Sequence, residues 1–163
     1  MKRNKGSKLY ILLFLSIILC LVIYFIYSFI LKSPSNQAEE AVEEFYSYEA
    51  KGAYAESWEM FHPFMKERFE KGDYLQDRPH VFLNHFGVNT FTFQIEDAEK
   101  IEGWQIEEDS ETIEVVYKVT VSQRFEGRYG NFEIVQDVFT TDIDGEWTVL
   151  WDYKKSETSS VSQ

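Results

Sequence analysis

The chain has 163 residues, 44% hydrophobic and 17% aromatic, and a formal net charge of −12. That acidity argues against a nucleic-acid role, because phosphates demand a basic surface. Cys20 is the only cysteine, which excludes an internal disulfide and a thiolate zinc site.

Residues 1–8 form a basic head with Lys2, Arg3, Lys5 and Lys8. Leu9 to Leu31 then carries no charge. About 20 apolar residues suffice for a helix to cross a bilayer, so residues 9–31 are expected to be a transmembrane anchor in contact with membrane lipid. The run exceeds the apolar core of a cleavable signal peptide. The basic head predicts a cytoplasmic N-terminus, and hence a single-pass signal-anchor protein with its C-terminal part extracytoplasmic. All 28 acidic residues lie beyond Lys32. Such a surface serves solubility and suits a cationic partner.

Residues 32–36 are expected to be a short tether, and residues 37–153 one domain. Its first helix is predicted from about Gln37 to Ala50, capped by Asn36 with Glu39 at the third helical position. Ala38, Ala41, Val42, Phe45 and Tyr46 make its apolar stripe, and Gly52 suits its C-terminal cap. A second helix is expected over about Ala53–Phe61, a third through Phe64, Met65, Arg68 and Phe69, ending near Gly72. A fourth is expected to be capped by Asp77, with Pro79 in its first turn, carrying Val81, Phe82, His85 and Phe86.

The periodicity then becomes strand-like. One strand is expected from Thr90 to Ile101 with a break near Gly103, and others over Ile113–Phe125, Phe132–Thr141 and Trp147–Trp151. Glu126–Gly130 is a connecting loop and a candidate contact surface. Asp142-Ile143-Asp144-Gly145 carries an Asp-Gly hairpin signal. In the Phe132–Thr141 strand, Phe132, Ile134 and Val138 share one face and Val135, Asp137 and Phe139 the other, so the pattern leaves open which is inner. Residues 154–163 read as a flexible tail. Helices followed by an antiparallel meander predict an α+β fold, with the helices packed on a curved sheet.

For chemistry, a carboxylate or histidine facing an apolar cavity is required. The candidates are His62, Asp137, Asp152 and Tyr46. Tyr46, Trp58, Phe61, Trp104, Trp147 and Trp151 are the residues that would line a pocket, although core packing accounts for the same rings. His62, His80 and His85 lack zinc-site spacing, and neither a metal nor a cofactor is expected.

The segments Ala41-Val42-Glu43-Glu44-Phe45-Tyr46, Lys51-Gly52-Ala53-Tyr54-Ala55-Glu56-Ser57-Trp58, Phe86-Gly87-Val88 and Asp144-Gly145-Glu146-Trp147-Thr148-Val149-Leu150-Trp151-Asp152 occur in an order that resembles the nuclear-transport-factor-2-like superfamily. The nearer resemblance is to the N-terminal domain of methicillin-resistance-type penicillin-binding proteins. It implies a cone of helices closed by a bent sheet, in a bacterial cell envelope. No serine-x-x-lysine arrangement follows, so it implies the small domain without the transpeptidase. Together these features lead to the expectation of a membrane-anchored, non-catalytic interaction or accessory module with an envelope protein as partner. A small-ligand binder or cone-type enzyme is the alternative, and a regulatory relative of a penicillin-binding protein N-terminal domain a third reading.

Overall fold

The computed structural model describes residues 5–30, 33–80, 87–88, 90–127 and 130–153, with side chains of the first helix described from Tyr10 to Ile26. Residues 1–4 of the basic head, Val81, Phe82, His85 and Phe86 of the expected fourth helix, Arg128 and Tyr129 of the expected contact loop, and the tail lie outside the described residues. The chain divides into two compact units, Met1–Ser33 and Pro34–Gln163.

The first unit contains one helix, α1 (Lys5–Ile30). Its described side chains are overwhelmingly apolar and exposed. Among the described residues no helix is long and apolar enough to cross a membrane. The expected transmembrane anchor is corrected accordingly. With it go the lipid partner through residues 9–31, the single-pass topology, the extracytoplasmic placement and the envelope-anchored function derived from them.

The second unit begins with α2 (Pro34–Lys51), followed by α3 (Tyr54–Glu59), α4 (Pro63–Arg68) and α5 (Lys71–His80). Helix α2 starts at Pro34, not after Asn36, because proline at the first helical position is pre-set for the helix. The expected tether is thereby shortened. Glu39 makes no capping box with Asn36; its Oε1 accepts a hydrogen bond from the Ala98 amide at 2.8 Å, tying α2 to the sheet. Gly52, at φ +71°, closes α2, its amide donating to the Glu49 carbonyl at 3.1 Å while that of Ala53 donates to Tyr48 at 2.9 Å. Helix α5 lies upstream of the expected fourth helix. Asp73 occupies its first turn, where a carboxylate complements the dipole, and Pro79 falls near its end.

The strands are β1 (Phe91–Ile95), β2 (Glu99–Trp104), β3 (Ile113–Gly127), β4 (Gly130–Ile143) and β5 (Glu146–Trp151), all antiparallel. β1 and β2 pair with successive stretches of β3, Ile95 opposite Val121 and Glu99 opposite Lys118. Four steps along one side match three on the other, so a bulge sits at Glu96–Ala98; at Gly103, φ +68°, the β2–β3 pairing skips that residue between Glu102 and Trp104, an irregularity at the expected position. The β4–β5 hairpin turns through Asp144 and Gly145, both at positive φ, as its Asp-Gly signal demands.

The sheet order is β1-β3-β4-β5 with β2 also on β3, an open sheet; the cone-like, strongly curved sheet expected from the sequence is corrected on this point. Its inner face carries Val119, Val121, Phe125 and Val138 against Val42, Phe45 and Tyr46 of α2, all fully or nearly fully buried. On the opposite face, Trp104 stacks on Phe139 at 4.6 Å, covering that end of the sheet. The other end of the same face bears Val135 and Asp137, both exposed.

Candidate functional site

Glu49 is the one carboxylate on the buried stripe of α2. It lies three residues after Tyr46 and four after Phe45, so the helix carries it onto the face that packs inward. Its side chain has no solvent exposure. Oε1 accepts from the Ser57 hydroxyl at 2.5 Å and the Tyr74 hydroxyl at 2.7 Å. Oε2 accepts from Arg78 Nε at 2.9 Å and Nη2 at 2.5 Å. One residue thus joins α2, α3 and α5. Burial opposes the Arg78 charge, but Glu49 outweighs it and holds the guanidinium protonated. Burial, reinforced by Glu49, pushes the Tyr74 hydroxyl well above its usual range. With four donors on its two oxygens, Glu49 is engaged in structure and has no oxygen left to act as a base.

Tyr46, Phe61 and Trp151 converge beside this cluster. Phe61 and Trp151 meet edge-on at 5.0 Å, and the Arg78 guanidinium lies 5.3 Å from the Trp151 ring. The Tyr46 hydroxyl and the Trp151 indole N–H approach one another without a well-formed hydrogen bond. Burial raises the Tyr46 hydroxyl above its usual range, with the Arg78 charge opposing. The other proposed lining residues lie elsewhere. Trp104 is on the far face of the sheet. Trp147 packs on Tyr117 at 5.5 Å, and Trp58 donates to the Phe69 carbonyl at 2.8 Å, with Lys66 and Lys71 over its ring.

The remaining catalytic candidates are dispersed too. His62 caps α4, its Nδ1 accepting from the Phe64 amide at 3.2 Å, and burial lowers its pKa. Asp137 accepts from the Thr120 hydroxyl at 2.8 Å on the wet face of the sheet. Asp152 is exposed just beyond β5. Among the described residues no group of three His, Cys, Asp or Glu side chains gathers to hold a metal.

The exposed part of the sheet has a distinct geometry. β4 pairs with β5 only from Val138 onward. Residues 130–137 therefore pair with β3 alone among the described residues, and one side of their backbone is an open edge. Along this segment Glu133, Val135 and Asp137 alternate on the outer face, and Val135 is 59% exposed. Beside them a depression of about 100 Å³ is lined by Thr92, Phe93, Gln94, Ser122, Arg124 and Glu133. Arg124 lies 3.7 Å from Glu133, both well exposed, a weak contact in water. Sequence reasoning noticed Asp137 but missed this edge, because strand alternation says which face a residue is on and not where a neighbouring strand stops.

The chain matches no protein-family model and no curated protein.

Proposed function

We propose that the unit formed by residues 34–153 is a partner-binding module that works by strand addition along the open edge of β4. The observation that carries this reading is that, among the described residues, the backbone of 133–137 pairs with β3 alone, and Val135 is the most exposed of this unit's described large hydrophobic side chains. An unpaired edge presents a row of backbone donors and acceptors, and folds ordinarily cover or blunt it. On the same side of the sheet β5 is covered: the His62 amide donates to the Val149 carbonyl at 3.0 Å and the Val149 amide to the Met60 carbonyl at 2.8 Å; the opposite edge is formed by β1 and β2, which among the described residues also pair with β3 alone. Strand addition takes affinity from main-chain hydrogen bonds and specificity from alternate side chains, so it needs no cavity. We also propose kinship with the nuclear-transport-factor-2-like superfamily, supported by the order of helices before an antiparallel meander and by the four sequence segments that carry the resemblance.

Photo-crosslinking tests the binding reading. A photoreactive amino acid replacing Val135 in the full chain should capture a reproducible partner, with the crosslinked peptide running alongside β4. The same amino acid replacing Leu75, exposed on α5, should not. Equal capture from both positions, or none from 135, would refute the reading.

A further inference from the structure

The side chains beside the open edge narrow the identity of the strand it accepts. Glu133, Val135 and Asp137 occupy alternate positions on one face, an acidic–apolar–acidic row with the spacing of a strand. Asp152 follows Trp151, which pairs with Val138, so a third carboxylate stands at the end of the same edge. Two described cations share this face of β3: Arg124, opposite Glu133, and Lys118, two residues from Thr120; Lys118 pairs with Glu99 at 2.6 Å and also feels the Asp137 charge. Among the described residues, Glu133 meets Arg124 at 3.7 Å and Asp137 accepts from the Thr120 hydroxyl at 2.8 Å, contacts that leave each carboxylate further acceptor capacity.

A second copy of this chain fits poorly. Pairing β4 with β4 antiparallel would bring Glu133 and Asp137 of both copies onto one rim, and like charges facing across a ladder destabilise it. A strand with the opposite pattern fits well. Cross-strand neighbours lie about 4.5–5.5 Å apart, within reach of a lysine or arginine for each carboxylate, while an apolar residue between them would cover Val135.

We propose that the β4 edge takes an extended basic segment in which lysine or arginine alternates with other residues around a central apolar side chain. This inference rests on the strand-addition reading and adds the charge pattern of the partner. The recognition is main-chain pairing in register, with two ion pairs setting that register and speeding encounter.

The test uses the full chain and two labelled peptides of about eight residues, long enough to span a strand. One alternates lysine with threonine around a central valine; the other replaces each lysine with glutamine. Fluorescence anisotropy should show the basic peptide binding at least about tenfold more tightly, the gap narrowing as salt rises. The double variant E133Q/D137N, altered only at exposed positions, should lose that preference while keeping its thermal midpoint. If both peptides bind equally and V135K weakens both, the edge is used but the charge inference is overturned. If neither binds, strand addition is overturned as well. If the chain self-associates through β4 in sedimentation, a second copy is the occupant and the inference fails.

Discussion

Replacing Arg78 by leucine removes both donors from Glu49 Oε2 and leaves a carboxylate with no solvent exposure facing only Ser57 and Tyr74. Breaking a buried pair by removing one partner costs about 3–5 kcal/mol, chiefly because the remaining charge is uncompensated. For a domain of this size that is about 10–20 °C in thermal midpoint. Glu49→Leu should cost less at the cation, because the Arg78 side chain keeps 23% exposure and can turn to water, although the Tyr74 and Ser57 hydroxyls lose their acceptor. The double replacement removes both charges, so its cost should fall short of the sum of the single costs by about 1–3 kcal/mol. Urea unfolding of the three variants, followed by tryptophan fluorescence, measures the cycle. Additive losses, or an Arg78→Leu loss under about 1 kcal/mol, would show that the pair behaves as a surface contact and refute the packing argument.

Tyr74→Phe removes one hydrogen bond to the same carboxylate and should cost about 1.5–3 kcal/mol in urea unfolding, with the fold unchanged by circular dichroism. Gly52→Ala forces a side chain into φ +71° and should cost about 1–2 kcal/mol; an unchanged midpoint would mean that α2 does not end as described. Burial holds the His62 pKa below its usual 6.5, so the unfolded chain binds more protons there than the folded one. The stability this contributes is complete above about pH 6.5 and is lost as the pH falls through the folded value. His62→Asn keeps a cap on α4 without a titrating ring, and a stability–pH profile should lose that slope; an unchanged profile would contradict the assignment.

Much of the fold is legible from periodicity. Ala38, Ala41, Val42, Phe45 and Tyr46 form the buried stripe of α2, and the Asp-Gly signal marks the β4–β5 turn, because local spacing and local backbone preference decide both. The same stripe also contained the signal for Glu49, which recurs at its helical interval; a carboxylate there requires a cation, but only tertiary structure shows that the cation is Arg78, on α5. Boundaries near proline were harder to read. Pro34 opens a helix and Pro79 sits near the end of one, and both are compatible with a helix start. The fate of the Val135–Asp137–Phe139 face was illegible, because Trp104 covers Phe139 and nothing among the described residues covers Val135. The length of β5, not the alternation in β4, determines where the open edge begins.

Amide hydrogen exchange along β4, measured on the full chain with and without the basic peptide, tests strand addition most directly. The alternate amides of residues 131–137 that point away from β3 should exchange rapidly in the free protein and become protected when the peptide is bound, while those of 138–143 stay protected throughout. Slow exchange at every one of these amides in the free protein, or no change on adding any peptide, would contradict it.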